Sequence, residues 1–156
     1  STTLYNEMLR RRPDLVEQLF HAFPTDRRGE IPPGMLPWFE VPVFSWHEGH
    51  LTAIYSGQYI RSAQANFPQC RRLTAAEHEA LDMLDALSND PALNLQIEFR
   101  PGDMQFLHNH QIFHSRTDFE NWPEPERHRH LLRLWLAPQD ARPLPPAFAQ
   151  RYGSLA

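Results

Sequence analysis

The sequence predicts a mainly β fold, an antiparallel sheet of the barrel or jelly-roll type with helices packed outside it. Three observations lead to this prediction. Apolar side chains alternate cleanly along 93–99 and occupy both faces of 129–136, which is the pattern of extended strands. Fifteen prolines divide the 156 residues into short segments joined by loops. The hydrophobic share of 41% and the charged share of 22% are typical of a globular domain.

The start of the chain predicts two short helices. Met8 and Leu19 belong to a set of apolar residues that recur at helical spacing. Pro13 interrupts this set, because a proline displaces the residue before it from helical geometry. The same proline is well suited to the first turn of a following helix. We therefore expect one helix over 2–11 and a second over 13–22.

A third helix is predicted to begin after Thr74. Thr74 and Glu77 have the spacing of a capping box, in which each side chain satisfies a free backbone N–H group of the other residue. Leucines at positions 81, 84 and 87 then give the helix one apolar face. The sequence Asn89-Asp-Pro91 is a typical stop signal for a helix.

A hairpin is predicted before this helix. Residues 38–46 favour a strand, and Pro42 places it at a sheet edge because proline has no N–H to donate. The turn is expected at 47–50 and the returning strand at 51–60. Prolines and glycines across 24–37 predict a loop that leads into the hairpin.

Four further strands are predicted after the third helix. They cover 93–99, 104–107, 111–114 and 129–136. The first two are separated by Arg100-Pro-Gly-Asp103, which has proline and glycine where a type II turn requires them.

The last predicted strand carries two arginines on one face. Arg129 and Arg133 are four residues apart, so their side chains project to the same side of a strand. Both faces of 129–136 are largely apolar, which predicts burial, and an unpaired buried charge is very costly. A carboxylate ligand would satisfy one guanidinium in the bidentate geometry that arginine favours. Pairing with Glu98 or Asp103 of the same chain is the alternative.

Three of the nine histidines, His108, His110 and His114, are close together in the sequence. Residues four apart on a strand are separated by about 13 Å. At most one of His110 and His114 would therefore bind any single metal ion. A zinc or copper site that uses His108, His110 and His128 is a further alternative, which the strand spacing disfavours.

Two segments of the second half resemble a known enzyme family. They are Asn109-His-Gln-Ile-Phe-His-Ser-Arg-Thr-Asp-Phe119 and Arg129-His-Leu-Leu-Arg-Leu-Trp-Leu136. Together they resemble the end of Fe(II)/2-oxoglutarate oxygenases of the taurine dioxygenase, dichlorophenoxyacetate dioxygenase and gamma-butyrobetaine hydroxylase branch. The resemblance extends upstream through Arg100–Asp103 to the helix that contains Tyr5-Asn-Glu-Met-Leu. It implies a double-stranded β-helix, the jelly roll of clavaminate synthase-like enzymes, incomplete at its N-terminal side. Residues 1–156 would then be the C-terminal part of a single oxygenase domain.

The resemblance implies a role for several residues. His114 stands at the distal iron-binding histidine of the family motif Asn-x-x-x-x-His-Gly-Arg, with Ser115 where glycine is usual. Arg129 stands where an arginine holds the far carboxylate of 2-oxoglutarate, and Arg127 would replace it if the strand register differed. Arg133 stands where some members contact an anionic substrate. The implied cofactors are Fe(II), 2-oxoglutarate and O₂, and the implied reaction is hydroxylation of a small charged organic substrate.

The chain departs from the family pattern at the iron site. The family's other two iron ligands form a His-x-Asp or His-x-Glu motif, and none of the nine histidines has an acid two residues later. We expect these ligands to lie upstream of Ser1, together with a hydroxyl residue that helps to hold 2-oxoglutarate. The chain alone is then expected to be a poor or inactive oxygenase. The alternative function is a non-catalytic jelly-roll module that binds a carboxylate or a protein partner.

Composition also limits the partners and the location. A net charge of −4 at pH 7 argues against a nucleic-acid binder. No apolar run approaches the roughly 20 residues that span a bilayer, so no membrane partner is expected. Cys70 is the single cysteine, which excludes an internal disulfide and fits the reducing cytoplasm. Sheet edges left without their neighbouring strands would favour homo-oligomers.

Overall fold

The computed structural model describes residues 1–152. The chain forms two units, which are described separately. The first contains 1–113 and the described residues from 144 onward, and the second contains 114–143. All the strands and α-helices of the described chain lie in the first unit, whereas the second has a single 3₁₀ turn at Pro125–Arg127.

The first two helices confirm the sequence prediction. Helix α1 covers Thr2–Arg11, and helix α2 covers Pro13–Gln18 with its proline at the first helical position. Helix α2 is shorter than expected because Ala22 already belongs to a strand. The buried residues of α1 are Leu4 and Met8, one turn apart on the same face.

Helix α3, over Gly57–Asn66, was not predicted. The predicted returning strand at 51–60 ends early, because the chain turns into this helix at Gly57. Ile60 and Ala63 are buried on one face of α3, three residues apart, as helical packing requires.

Helix α4, over Ala75–Ser88, confirms the capping-box prediction. Thr74 Oγ1 accepts a hydrogen bond from the Glu77 N–H at 3.2 Å, and Glu77 Oε2 accepts one from the Thr74 N–H at 2.8 Å. A short last helix, α5, follows at Ala149–Tyr152 after a 3₁₀ turn over Pro146–Phe148.

The four strands form two separate antiparallel pairs. Strand β1 (Ala22–Asp26) pairs with β2 (Trp38–Pro42), and β3 (Phe44–His47) pairs with β4 (His50–Ala53). The predicted strand over 38–46 is therefore interrupted between β2 and β3. The predicted loop over 24–37 is also shorter than expected, since its first three residues belong to β1.

The turn between β3 and β4 confirms the prediction at 47–50. Glu48 and Gly49 both have positive φ angles, 47° and 76°. Two successive positive φ values are typical of the type I′ turn, whose twist matches that of the flanking strands. His47 and His50 consequently lie opposite each other at the end of the hairpin.

The apolar core of the first unit is enclosed by the helices and the β3–β4 hairpin. A second, smaller cluster joins Phe39 and Val41 of β2 to Phe148. The large side chains buried in the main core are Met8, Leu15, Leu19, Phe23, Phe44, Leu81 and Leu84.

The four strands predicted after α4 are not formed. No strand follows Ala53 in the described chain, and its four strands form no closed barrel. The reason is physical: an isolated extended segment leaves its backbone N–H and C=O groups unpaired, and a strand is stable only beside another strand. The turn at Pro101-Gly102 is formed, with the Asp103 N–H bonded to the Arg100 carbonyl at 3.0 Å. No helix of the described residues is long and apolar enough to span a membrane.

Candidate functional site

The residues with implied roles all fall within the second unit. His114, Arg129 and Arg133 all belong to 114–143, where both arginines are exposed. The sequence predicted a buried strand around the two arginines. That prediction is wrong, because 129–136 is extended without strand partners and Leu132 is 85% exposed.

Arg129 is held by two contacts within its own unit. Its guanidinium lies over the Phe119 ring, with Cζ 5.1 Å from the ring centroid. Its backbone N–H donates a hydrogen bond to Asn121 Oδ1 at 3.2 Å. No ion pair joins Arg129 to an acid within the part of the chain that the structure describes. This exposed cation is therefore available to a carboxylate from outside the chain.

The alternative of an internal acid partner for Arg129 is not realised. Of the two candidates, Asp103 instead accepts a hydrogen bond from the backbone N–H of Arg100 at 2.8 Å. Glu98, the other candidate, forms no ion pair among the described residues. The charge of Arg129 is left to solvent or to a ligand.

Arg116 shares the aromatic ring that supports Arg129. Its guanidinium carbon is 4.9 Å from the centroid of the Phe119 ring. Sequence reasoning assigned no role to either Arg116 or Phe119, because an aromatic partner of a cation follows no periodic pattern. Both residues do lie in the segment 109–119, which carries part of the family resemblance. That position was the one sequence signal that could have drawn attention to them.

Arg127, the alternative candidate for the role of Arg129, has partners of its own. Its guanidinium carbon lies 3.4 Å from the centroid of the Trp122 ring, and its Nη1 is 3.7 Å from Glu124 Oε2. A guanidinium already paired with a carboxylate is less suited to bind a second one. Arg129 is therefore the better candidate for an anionic ligand.

The donor set for iron is incomplete in this chain. The described residues contain no group of three or more His, Cys, Asp or Glu side chains that could hold a metal ion. His114, which the resemblance places at the iron, is therefore not part of such a group within the described residues. The same finding counts against the zinc or copper site considered for His108, His110 and His128, although the first two rings lie 6.4 Å apart.

The first unit has one polar cluster around Tyr55. The Tyr55 hydroxyl donates to Asp85 Oδ1 at 2.6 Å, and Arg61 Nη2 lies 2.7 Å from Asp85 Oδ2. Burial, and next the hydrogen bond to Asp85, raise the pKa of Tyr55 above its usual value. All three side chains are satisfied by one another, so this cluster links α3 to α4 rather than forming a free binding site.

A shallow, open depression lies on the surface of the second unit at residues 120–123. It has a volume of about 360 Å³ and is lined by Glu120, Asn121, Trp122 and Pro123. Asn121 is the same residue that accepts the hydrogen bond from the Arg129 backbone.

Comparison with known proteins identifies the family. The family model described as "Taurine catabolism dioxygenase TauD, TfdA family" matches residues 1–135. FR-33289 synthase of Streptomyces rubellomurinus is 28% identical over 159 residues, which cover 96% of this chain and 45% of that protein. The taurine hydroxylase-like protein SAT17 of Stachybotrys chartarum is 33% identical over 141 residues, which cover 86% of this chain and 34% of that protein. The chain thus spans less than half the length of either relative.

The family match covers most of the chain and includes the segment in which the candidate residues lie. His114, Arg129 and Arg133 all fall within residues 1–135. The chain therefore belongs to the taurine catabolism dioxygenase TauD, TfdA family.

Proposed function

We propose that the chain is the C-terminal part of an Fe(II)- and 2-oxoglutarate-dependent oxygenase domain that hydroxylates a small charged organic molecule. The observation that carries this proposal is the exposure of the Arg129 guanidinium and its lack of an acidic partner. Within a segment that matches an oxygenase family, its guanidinium is exposed, lies over the Phe119 ring and is not paired with an acid of the described chain.

Each candidate residue has one role in the proposal. Arg129 binds the far carboxylate of 2-oxoglutarate through its paired N–H groups, and Arg133 binds an anionic group of the substrate. His114 is one ligand of the iron. When bound, the iron and 2-oxoglutarate supply the chemistry that oxidises a substrate C–H bond with O₂.

The remaining iron ligands are proposed to come from outside residues 1–156. A metal site with one histidine leaves most coordination positions without protein ligands, and a two-histidine, one-carboxylate site is the usual arrangement for such iron. The isolated chain is accordingly expected to be a poor or inactive oxygenase. We also propose that the complete domain folds as a jelly roll. We further propose that it is located in the cytoplasm.

The cosubstrate role of Arg129 is tested by titrating 2-oxoglutarate into the chain and measuring heat. Arg129→Gln is expected to weaken binding by a factor of about 10 to 100, because a charge-assisted bidentate pair is worth roughly 1.5–3 kcal/mol. The matched control is Arg100→Gln, which removes another exposed arginine that has no role in the proposal. Equal affinities of Arg129→Gln and wild type would refute the role of Arg129.

The iron role of His114 is tested in a protein that carries a complete set of iron ligands. His114→Ala is expected to abolish 2-oxoglutarate consumption there. Normal consumption by that variant would show that His114 is not a ligand.

A second candidate function is a non-catalytic module that binds a carboxylate. It is favoured by the absence of a three-ligand metal group from the described residues. This function predicts that Arg129→Gln and Arg133→Gln each weaken carboxylate binding, and that Fe(II) has no effect on it. Tighter binding of 2-oxoglutarate with Fe(II) than without it, measured without oxygen, would favour the oxygenase instead.

A further inference from the structure

We propose that Phe119 is a positioning residue that holds the guanidinium of Arg129 ready for a carboxylate; this inference rests on the proposed function. The Arg129 Cζ lies 5.1 Å from the centroid of the Phe119 ring. This distance is within the range at which a guanidinium is attracted to the negative face of an aromatic ring.

A guanidinium over a ring remains able to bind a ligand. The attraction depends on the positive charge of the guanidinium and involves one side of it, whereas the cation carries five N–H donors in a fixed fork. The ring thus restricts where the guanidinium lies without using the groups that recognise a carboxylate.

The backbone of Arg129 is fixed by the same short segment. Asn121, two residues after Phe119, accepts the Arg129 N–H at 3.2 Å. One segment therefore holds both the main chain and the side chain of this arginine. An exposed arginine has many rotamers, and binding is weaker when that freedom is lost only on contact with the ligand. Restricting Arg129 beforehand lowers this cost.

Arg116 adds a second positive charge to the same ring, with its Cζ 4.9 Å from the centroid. Two cations gathered on one ring repel each other, and a bound anion relieves that repulsion. This second cation therefore favours the binding of an anionic group at Arg129.

The test compares two substitutions of the ring by titration with 2-oxoglutarate. Phe119→Leu keeps an apolar side chain but removes the aromatic face, and we expect binding to weaken by a factor of about 2 to 5. Phe119→Tyr keeps the face, and we expect wild-type affinity within error. The matched control is Phe106→Leu, which makes the same change at a phenylalanine that is 80% exposed.

A spectroscopic measurement separates positioning from general damage to the fold. The Arg129 Nε–H proton of the free chain should show a ring-current shift in its NMR signal, identified by the loss of that signal in Arg129→Gln. We expect the shift to disappear in Phe119→Leu and to persist in Phe119→Tyr and Phe106→Leu.

The outcomes distinguish this inference from the function on which it rests. Wild-type affinity in Phe119→Leu, or an equal loss in Phe106→Leu, would overturn the role of Phe119 while Arg129→Gln still weakens binding. Wild-type affinity in Arg129→Gln would instead overturn the role of Arg129 in the proposed function.

Discussion

Glu77 has a carboxylate that is almost fully buried, with the residue 2% exposed. Arg71 donates two hydrogen bonds to it, at 2.8 and 3.0 Å, and also donates from Nε to the Ala22 carbonyl at 3.2 Å. Burial alone would raise the pKa of Glu77. The guanidinium and the N–H of Thr74 outweigh burial, so the pKa is lowered. This one ion pair ties the start of α4 to β1.

Arg71→Met is predicted to destabilise the chain, because it leaves a buried carboxylate without its cation. We expect a loss of about 2 kcal/mol in the free energy of unfolding, less than the roughly 3–5 kcal/mol for a fully buried pair because Arg71 is partly exposed. Urea denaturation measures this loss. Arg10→Met is the control, because it breaks an exposed ion pair and should change stability little. Equal effects of the two substitutions would contradict the structural role of Arg71.

The lowered pKa of Glu77 also predicts acid sensitivity. The stabilisation is fully present above the pKa of an unfolded glutamate, about 4.3, and is lost as the pH falls through the lower folded value. Urea denaturation from pH 6 to pH 3 should show a shallower loss of stability in Glu77→Gln than in wild type. Glu7, whose pKa is lowered to about 2 by Arg10 and Arg11, is at the surface, so added salt screens its contribution more than that of Glu77. If stability fell equally with pH in Glu77→Gln and wild type at high salt, the prediction would be refuted.

At the scale of the elements, the β3–β4 hairpin depends on its two-residue turn. Gly49 has a φ of 76°, a conformation that a β-branched side chain adopts only with strain. Gly49→Val is therefore expected to lower the free energy of unfolding by about 1–2 kcal/mol. Glu48→Asn should raise it slightly, since asparagine tolerates positive φ better than glutamate. A thermal unfolding series measures both changes, and an unchanged midpoint in Gly49→Val would show that the turn does not constrain the fold.

Elements with local determinants could be predicted from the sequence. Proline at the start of α2, the capping box of α4 and the Glu-Gly turn each act within a few residues, and all three are formed. Strands depend on distant partners, and there the sequence was misleading. Apolar residues do alternate along 93–99 and do occupy both faces of 129–136, but the described chain offers no strand beside either segment. Strand β1 was missed because Pro24 suggested a loop, although a two-stranded sheet accommodates proline at its edge.

The candidate site was also predictable only in part, because some of its features depend on contacts between residues that are distant in the sequence. The resemblance to the oxygenase family marks Arg129 as a candidate, because the motif around His114 and the spacing of the two arginines are patterns along the chain. The expected burial of Arg129 was wrong, since burial depends on strands that are not formed. Phe119 could not be identified, because its contact with Arg129 spans ten residues of irregular chain and follows no period.

At the scale of the whole molecule, the apolar side chains fall into two groups. Those of the helices are mostly buried, whereas many between residues 95 and 136, drawn from both units, are exposed. Exposed apolar side chains that gather in one patch commonly mark interaction surfaces. Unpaired extended backbone adds a tendency to pair with other chains. The most exposed members are Leu95, Met104, Phe106, Leu132, Leu134 and Leu136.

These exposed residues predict that the 156-residue chain associates with further copies of itself. Transfer of one leucine from water to an apolar contact is worth about 1.5–3 kcal/mol, so a few leucines suffice to hold two chains together. Light scattering after size exclusion should give a mass that rises with concentration. A triple substitution of Leu132, Leu134 and Leu136 by glutamate should reduce that mass, because three charges would have to be desolvated at the contact. Leu36→Glu, at another exposed leucine outside the set, is the control and should leave the association intact. A wild-type chain that stays monomeric at all concentrations would contradict the prediction.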